Sequence, residues 1–365
     1  MKIGFVAEPY EESHASGMGF VVSELFKNML VQGAEHEFTV YSTKPVSKDF
    51  IPGTYRFVQL PSGFIKKLLW FYRMPDEVDV LLFVAPLLPL IVSRKIHPII
   101  ICQELASQKI RPEGFVDTVF AFVRDHILML WCIRRAAIIV AASEATRRDL
   151  REFYRVPENK MEVVYDGYQD LSRFAAEAPA IAESLKPYFF FAGKVKYRKN
   201  VHGIAAAFVE FKKRTRAPAH LIIAGDYGGA YYDHIMKTLY EAGVEKDVHF
   251  VGYISGPQLY AYYKNALAVM FPSFNEGFGM PTIEAMSVGT PVITSNISSM
   301  AEAAGDAALL VDPYDTAHMA GAMERIYTDK AVCEELRAKG YERAKQFSWP
   351  KAAREFLAIV TRYAY

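Results

Sequence analysis

Residues 273–293 read SFNEGFGMPTIEAMSVGTPVI, in which a loop with two glycines leads into a helical pattern and then into a short apolar run. The segment just before it, LAVMFPS at 267–273, is typical of a buried strand. Pro281 stands where a first helical turn begins. A strand that passes through such a loop into a helix is the repeating unit of an α/β sheet, so this stretch predicts parallel strands with helices between them.

The same alternation of strand and helix recurs along the rest of the chain. One series runs from KIGFVAE at 2–8 to KMEVVYDG at 160–167, and a second begins with YFFFAG at 188–193. Between them lies an alanine- and glutamate-rich segment, 170–187, with the character of an interdomain connection. A chain of 365 residues exceeds the usual size of one core, so we expect two similar α/β halves with a cleft between them.

Composition and charge narrow the class of protein. The chain is 52% hydrophobic and 23% charged, which is typical of a globular protein. Its formal net charge of +1 gives the whole molecule no attraction for nucleic acid. Cys102, Cys132 and Cys333 fit no paired metal spacing and indicate a reducing compartment. The longest apolar stretch, 80–92, is too short to span a bilayer, so we expect a cytoplasmic protein, soluble or peripherally attached to a membrane.

The loop in the quoted stretch has the features of an anion site. Gly277 and Gly279 lack Cβ atoms, so the backbone can approach a ligand closely there. The unpaired N–H groups at the start of a helix favour negative charge, and the helix dipole reinforces them. These features predict a site for a diphosphate.

Glu276 and Glu284 flank this predicted anion site, eight positions apart. Carboxylates repel phosphate, but they accept strong hydrogen bonds from the hydroxyl groups of sugars. A ligand with phosphate between two polyols, such as a nucleoside-diphosphate sugar, satisfies both requirements. The alternative is that Glu284 only complements the helix dipole and that Glu276 is solvated.

A group of cations follows the predicted strand 188–193. They are Lys194, Lys196, Arg198 and Lys199. Because ligands of open sheets bind at the carboxyl ends of strands, we expect Lys194 and Lys199 to neutralise the diphosphate and Lys196 to face solvent. The alternative is a solvated basic turn.

The start of the chain offers a weaker signal. Gly17 and Gly19 follow the first predicted strand and precede a helix. A tight turn made for packing explains them as well as a phosphate contact does. His14 has the character of an ordinary loop histidine.

Two other features of the first half are open to two interpretations each. Gln103 and Glu104 end a predicted strand, where either contacts an acceptor or caps the next segment. The basic and aromatic segment 63–73 either rests on an anionic membrane surface or forms a partly buried surface helix.

Five segments together resemble retaining glycosyltransferases of family four, which have the GT-B architecture. They are FNEGFGMPTIEAMSVGTPVITSN at 274–296, with the E-x7-E motif, FAGKVKYRKN at 191–200, ASEATRRDLREFYRVPENKMEVVYDG at 142–167, AEAAGDAALLVDPYD at 301–315 and FSWPKAAREFLAIV at 347–360. The resemblance covers most of the chain, and it is stronger over 188–365 than before Ser143.

The resemblance implies two Rossmann-like domains facing each other across a cleft, with the C-terminal helix crossing back to the first domain. The first domain, 1–170 plus 348–365, would bind the acceptor, and the second, 171–347, the sugar nucleotide. The implied reaction is a retaining transfer of a hexose from a nucleoside-diphosphate sugar to a glycan or lipid-linked acceptor. Lysines and helix ends would compensate the charge, so no metal is expected.

The family pattern also implies roles for individual residues. Glu276 would contact hydroxyl groups of the donor sugar, Glu284 the nucleotide ribose, and Lys194 and Lys199 the departing diphosphate. The other donor-binding positions would be Gly277, Phe278, Gly279 and Met280 at the sugar and phosphate, Gly17 and Gly19 at the diphosphate, and Tyr253 and Ile254 beside the base.

The chain departs from the family pattern in places. Many relatives have arginine where Lys194 stands, and lysine lacks the bidentate fork. The family often has His-Asp where this chain has Gln103 and Glu104, and a glutamine is no proton shuttle at neutral pH. An arginine common after the glycine turn is Phe20 here. We therefore expect a different acceptor arrangement and assign no general base.

Several alternatives remain. GDP-mannose is slightly favoured over other GDP- or UDP-hexoses by overall resemblance alone. A nucleotide-sugar epimerase or a glycan phosphorylase on the same architecture is an alternative, although no feature demands the pyridoxal lysine of a phosphorylase. A dinucleotide-dependent oxidoreductase would need a full G-x-G-x-x-G turn, and residues 17–22 offer only GMGFVV. A non-catalytic sugar-nucleotide-binding protein is also compatible with the sequence.

Overall fold

A computed structural model gives the fold and describes residues 1–7, 17–48, 51–63, 66, 70–71, 78–84, 95–105, 127–181 and 183–363. They form two compact units, Met1–Gly167 together with Phe347–Tyr365, and Tyr168–Gln346. The ranges drawn from the sequence differ from these units by a few residues at the boundaries. His14 lies outside the described residues.

The first unit is built on a parallel sheet. Its described strands are β1 (Lys2–Val6), β2 (Glu37–Ser42), β3 (Arg56–Gln59), β4 (Val80–Val84), β5 (His97–Cys102), β6 (Ile138–Ala141) and β7 (Met161–Val163). They lie in the order β3-β2-β1-β4-β5-β6-β7, and every pair is parallel. All residues of β4 and β6 are buried, as expected for strands covered on both faces.

The described helices of the first series are α1 (Gly17–Gln32), α2 (Met129–Arg135) and α3 (Glu144–Tyr154). The sequence analysis placed Gly17 and Gly19 ahead of this helix, and that prediction is wrong, because both glycines lie in its first turn. Glycine disfavours helix, but tertiary packing outweighs propensity here. Phe26 stacks on Phe5 of β1 with ring centroids 4.4 Å apart. Helix α3 begins after Ser143, whose side chain accepts a hydrogen bond from the Thr146 N–H.

The second unit repeats the architecture. Its strands are β8 (Tyr188–Ala192), β9 (His220–Ala224), β10 (Val248–Gly252), β11 (Ala268–Phe271), β12 (Val292–Ser295) and β13 (Leu309–Val311). The order is β10-β9-β8-β11-β12-β13, again parallel throughout. The direction of winding reverses between β8 and β11, and open sheets bind ligands at the carboxyl ends of the strands at such a point.

The helices of the second unit follow its strands. They are α4 (Val201–Thr215), α5 (Gly229–Ala242), α6 (Gly256–Asn265), α7 (Met280–Ser287), α8 (Ser298–Ala304), α9 (Thr316–Thr328) and α10 (Lys330–Ala344). Helices α8 and α10 were not predicted from the sequence. Helix α10 has a weakly segregated polar face, so its periodicity gives little signal.

The segment predicted as an interdomain connection belongs to the second unit from Tyr168 onward. It forms 3-10 turns at Leu171–Glu177 and Glu183–Leu185. A Cβ atom at Gly256, the first residue of α6, would lie 2.5 Å from the Phe174 ring. The turn therefore packs on α6, and the glycine makes this close approach possible.

The last described helix, α11 (Trp349–Tyr363), completes the first unit. Its buried residues Phe356, Leu357 and Val360 cover α1, where Leu357 reaches Gly33. Arg362 pairs with Glu162 of β7 at 2.6 Å. This placement confirms the predicted return of the C-terminal helix.

No helix among the residues that the structure describes has the length and apolar character needed to cross a membrane. Of the basic and aromatic segment 63–73, Trp70 packs edge-on against Tyr41 and Phe71, with centroids 5.6 Å and 5.2 Å apart. Trp70 thus contributes to packing, while Lys67 and Arg73 lie outside the described residues.

Candidate active site

Two loops meet at the winding reversal of the second sheet. The loop 193–200 follows β8 and the loop 272–279 follows β11. They are joined by a backbone hydrogen bond, in which the N–H of Phe274 donates to the carbonyl of Arg198 at 2.9 Å. The predicted acid and basic residues therefore come together at one edge of one sheet.

Glu276 lies buried between two cations. Its Oε2 is 3.1 Å from Nη1 of Arg198, and its Oε1 is 2.9 Å from Nζ of Lys199. The 2.9 Å contact with Lys199 is a charge-assisted pair, and a carboxylate oxygen can accept more than one hydrogen bond. This oxygen therefore keeps acceptor capacity for a ligand hydroxyl.

The two cations keep the Glu276 carboxyl ionised. Burial opposes ionisation, but Lys199 first and Arg198 second outweigh it and hold the pKa of Glu276 below its usual value. The three side chains together carry one net positive charge. The single negative charge of Glu276 does not neutralise both cations. The cluster therefore favours a ligand that carries more than one negative charge.

Only one of the two favoured lysines joins this cluster. Lys199 is mostly buried, with Nζ 4.7 Å from the centroid of the Phe271 ring. Lys194 is exposed and pairs loosely with Asp226 at 3.6 Å. Arg198, which the sequence analysis did not favour, takes the second position at Glu276.

Asn200 anchors the loop that carries Arg198 and Lys199. It ends the 3-10 turn Tyr197–Lys199 with a left-handed backbone, φ 56°. Its buried side chain donates to the carbonyls of Pro272 and Pro313 at 3.1 and 2.8 Å. The sequence signal for this anchor was an asparagine directly before a helix, a residue type that tolerates the left-handed region.

The backbone of Glu276 is fixed by two serines at the start of α8. Ser299 Oγ donates to the Glu276 carbonyl at 2.8 Å, and Ser298 Oγ lies 3.2 Å from the same oxygen. Ser298 Oγ is also 3.1 Å from Oδ1 of Asn275. These positioning residues were missed because no short motif links them to Glu276 across 22 positions.

The glycine turn ahead of α7 has the geometry expected of a close backbone approach. Gly279 adopts φ +94°, and a Cβ atom there would lie 2.3 Å from Cε of Met300. Gly277 and Phe278 are buried, whereas Met280, the first residue of α7, is half-buried. Pro281 has no N–H and the Thr282 N–H donates to the Gly279 carbonyl at 2.9 Å, so the N–H of Met280 is the donor that remains at this helix start.

Glu284 lies inside α7 and differs sharply from Glu276. Burial raises the pKa of Glu284 to about 7, although hydrogen bonds from Tyr263 and the Gln169 backbone favour the charged form. The Tyr263 hydroxyl is 3.4 Å from Oε2. Near pH 7 Glu276 is therefore ionised, whereas Glu284 is partly protonated.

The positions predicted beside the base lie just after β10. Tyr253 is 76% exposed, and Ile254 is half-buried. Nothing in the described structure covers the Tyr253 ring, so its face is open to solvent.

In the first unit, the predicted residues occupy other settings. Gly17 and Gly19 lie in the first turn of α1, where a Cβ atom at Gly17 would meet open space. Gln103 is buried, and its Nε2 donates to Oδ1 of Asp166 at 3.1 Å. The backbone carbonyl of Gln103 accepts from the Thr146 hydroxyl at 3.0 Å. The Gln103 amide is thus committed to an internal network.

Asp166 is the buried acid of that network. Burial raises the pKa of Asp166 to about 7, and the hydrogen bond from Gln103 opposes this rise. Glu104, the neighbour of Gln103, is half-buried.

The described part of the chain contains no group of three or more histidine, cysteine, aspartate or glutamate side chains arranged to hold a metal ion. Charge at the cluster around Glu276 comes from Lys199, Arg198 and the helix start.

Residues 176–347 match the family model described as "Glycosyl transferases group 1". The match spans almost the whole second unit and includes both loops of the site. The second unit is a group 1 glycosyltransferase domain.

Curated relatives extend this group 1 likeness. The O-antigen chain mannosyltransferase B of Escherichia coli is 30% identical over 221 residues, covering 59% of this chain and 58% of that protein. The chain thus spans less than two thirds of the length of the curated relatives it matches.

Solved structures agree with the fold over nearly the whole chain. The sucrose-phosphate synthase of Thermosynechococcus elongatus superposes with a TM-score of 0.76 at 20% identity, covering 99% of this chain and 98% of that one. HepE of Anabaena in complex with UDP-glucose gives 0.74 at 16% identity, covering 99% and 100%. These matches confirm that the chain has the GT-B fold of two Rossmann-like units, the second of which is the group 1 domain.

Proposed function

We propose that the protein is a retaining glycosyltransferase that moves a hexose from a nucleoside-diphosphate sugar to a glycan or lipid-linked acceptor without a metal ion. One observation carries the proposal. A buried, ionised carboxylate, Glu276, is paired with Lys199 and Arg198 beside the start of α7, at the winding reversal of the group 1 domain.

The cations and the helix start bind the diphosphate. Glu276 now neutralises one of two positive charges, so a diphosphate competes with it for Lys199 and Arg198. The N–H of Met280 and the dipole of α7 add favourable interactions on the other side. Gly17 and Gly19, in the first turn of α1, are assigned to the diphosphate from the family pattern alone.

The acids hold the carbohydrate parts of the donor. Once the cations turn to phosphate, Glu276 accepts hydrogen bonds from hydroxyl groups of the hexose. Glu284 accepts hydrogen bonds from the ribose, which stabilise its charged form and lower its pKa on binding. Backbone groups of Gly277 to Met280 line the sugar and phosphate, with Tyr253 and Ile254 beside the base.

The transfer step needs charge stabilisation at the leaving group. The bond between C1 of the hexose and the diphosphate oxygen breaks, and the oxygen keeps the electron pair. The acceptor hydroxyl forms the new bond on the same face, and its proton passes to the departing oxygen. Lys199 and Arg198 stabilise the charge on that oxygen, and a preorganised contact of this type contributes about 2–4 kcal/mol.

The first unit supplies the acceptor side. Gln103 cannot exchange protons near neutral pH and is bound to Asp166, so Glu104 is the better candidate for an acceptor contact. Likeness to a mannosyltransferase favours a mannosyl donor, GDP-mannose, over other GDP- or UDP-hexoses.

A thermal-shift screen of UDP-, GDP-, ADP- and dTDP-sugars, with NADH and NADPH as controls, tests the class directly. We expect one nucleotide sugar to raise the melting temperature in the presence of EDTA and the nicotinamide cofactors to leave it unchanged. The absence of a shift with every nucleotide sugar would overturn the proposal, and a shift with a nicotinamide cofactor would favour an oxidoreductase instead.

A Glu276→Gln variant tests the site. We expect it to lower turnover at least about tenfold, because it weakens the contact with the donor sugar. Glu241→Gln, on the exposed surface of α5, is the matched control. Equal rates for both variants and the wild type would remove Glu276 from the reaction.

A further inference from the structure

Five aromatic rings form a continuous row on the second unit, next to the charged cluster. We call this row the aromatic platform, and its members are Tyr314, Phe274, Tyr197, His202 and Tyr231. The successive ring centroids lie 4.7, 5.4, 5.1 and 5.7 Å apart. Two of these neighbouring pairs, Tyr314 with Phe274 and Tyr197 with His202, are stacked.

The platform presents ring surface to solvent. Tyr314 is 72% exposed and Tyr197 is 49% exposed, although both stack on neighbouring rings. Phe274 beneath them is 8% exposed and supplies the buried base. Large exposed aromatic side chains that are held in place in this way indicate a binding surface more often than isolated ones do.

The platform is rigidly mounted. The buried Asn200 side chain donates to the carbonyls of Pro272 and Pro313, which lie close in sequence to Phe274 and Tyr314. Asn200 itself follows the turn that carries Tyr197. One side chain therefore joins the three loops that carry Tyr197, Phe274 and Tyr314.

The histidine of the platform is held as well. The Tyr231 hydroxyl lies 2.8 Å from Nδ1 of His202 and accepts from the His202 backbone N–H at 3.1 Å. Burial, followed by the nearby His234, lowers the pKa of His202. A neutral imidazole therefore lies flat against Tyr197, at an interplanar angle of 13°.

The platform is continuous with the charged cluster. Tyr197 stands two positions before Lys199, and Phe274 two positions before Glu276. Two residues of chain span at most about 7 Å. The backbone positions of Tyr197 and Phe274 therefore lie within about 7 Å of those of Lys199 and Glu276, and the platform adjoins the charged cluster.

Charge selects the class of ligand. Tyr314 is flanked by Asp312 and Asp315, whose carboxylates accept from the N–H groups of Tyr314 and His318. At the Tyr314 end of the platform these carboxylates disfavour anionic lipid headgroups and nucleic acid, and at the other end Glu276 offsets part of the positive charge of Lys199 and Arg198. Flat apolar rings edged by hydroxyl and carboxylate groups match a neutral sugar, whose C–H face is apolar and whose edge carries hydroxyl groups.

We propose that the aromatic platform is a subsite for a neutral oligosaccharide, in which Tyr314 and Tyr197 stack on sugar rings of the acceptor glycan. The assignment of this oligosaccharide as acceptor rests on the proposed function. The saccharide-binding property itself rests on the geometry of the platform.

Binding of two neutral trisaccharides, mannotriose and maltotriose, tests the platform by saturation-transfer NMR and titration calorimetry. We expect the wild type to bind at least one of them, and Tyr314→Ala to raise its dissociation constant roughly tenfold. Tyr314→Phe should keep the affinity within about twofold, because it keeps the ring face. Tyr240→Ala is the matched control, since Tyr240 is 63% exposed and lies outside the platform.

The outcomes separate the two proposals. The platform proposal is overturned if the wild type binds neither trisaccharide, or if Tyr314→Ala binds as well as the wild type. The nucleotide-sugar thermal shift of Tyr314→Ala should equal that of the wild type, since Tyr314 takes no part in donor binding. Trisaccharide binding that depends on Tyr314, without any nucleotide-sugar shift, would sustain the platform and refute the proposed transferase.

Discussion

The two units of this protein share a strand order but differ in what their strand ends hold. In the second unit the ends of β8 and β11 hold an ion-paired cluster, Glu276 with Lys199 and Arg198. In the first unit the end of β5 holds a buried network of Gln103 with Asp166. The comparison teaches that the shared fold fixes where a site is placed, whereas the loop residues decide its charge and chemistry.

Each unit also contains one buried acid with a raised pKa. Burial raises the pKa of Glu284 in the second unit and the pKa of Asp166 in the first unit to about 7. Under the proposed function only Glu284 meets ligand. The predictions below use this contrast, and they are ordered from the largest expected effect to the smallest.

The largest effect is expected for Lys199→Ala. It removes the buried ammonium that faces Glu276, and it should lower turnover about 30-fold or more, because such a contact contributes about 2–4 kcal/mol. Steady-state kinetics with the nucleotide sugar found in the thermal-shift screen measures this. Lys196→Ala, on the same loop but exposed, is the control and should keep near wild-type rates. Similar losses in the two variants would mean that the loop acts through general positive charge.

The second effect is on the pH dependence of donor binding. Glu284 accepts ribose hydrogen bonds best when ionised, and its pKa of about 7 leaves only about a tenth of the molecules ionised at pH 6. The donor dissociation constant should therefore be roughly tenfold larger at pH 6 than at pH 8. Titration calorimetry in two buffers also detects the proton released on binding. A Glu284→Gln variant should bind weakly with a flatter pH profile, and a wild-type profile that is flat would contradict the proposed role.

The third effect compares the stability of the two units. The folded-state pKa of Glu284 and of Asp166 is about 7, above the value of each in the unfolded chain. Each carboxyl therefore destabilises the folded protein, and this destabilisation increases as the pH rises from about 4 to 7. Glu284→Gln and Asp166→Asn should each raise the free energy of unfolding by about 3 kcal/mol at pH 8, because each pKa unit of such a rise costs about 1.4 kcal/mol. Neither gain should appear at pH 4, where both acids are protonated. Urea unfolding at the two pH values measures this, and equal gains at both would point to altered packing.

Donor affinity then separates these two stability variants. Asp166→Asn should bind the nucleotide sugar like the wild type, whereas Glu284→Gln should not. Weaker donor binding by Asp166→Asn would remove the proposed division of labour between the units.

The smallest effect is expected for Lys194→Ala. Lys194 is exposed and pairs with Asp226, so solvent screens its charge and turnover should fall no more than about threefold. The remaining effect should vanish at high ionic strength, because it acts through space. A loss as large as that of Lys199→Ala would restore the role that the sequence pattern gave to Lys194.

Much of the fold could be predicted from the sequence because buried parallel strands leave continuous apolar runs. YFFFA and LIIA, for example, lie within β8 and β9. The start of α1 was harder to predict from the sequence. The low helix propensity of Gly17 and Gly19 argues against a helix at these positions, whereas packing of the apolar face of α1 stabilises one there.

The site was predictable in its anchors but not in its pairing. Glu276 and Lys199 stand in a recognisable pattern, and the structure brings them to 2.9 Å. Which of the neighbouring cations would join them depends on the turn at Tyr197–Lys199 and the left-handed backbone of Asn200. The serines of α8 come from another strand–helix connection, so only tertiary structure reveals them.

The return of α11 to the first unit has a consequence for biosynthesis. Tyr168–Gln346 is one continuous piece, so the second unit can close its core as soon as that piece has left the ribosome. The first unit begins earlier yet stays unfinished, because the apolar side of α1 waits for residues 349–363. The half that is translated first is thus the half that matures last, and a chaperone that shields α1 during synthesis would protect it.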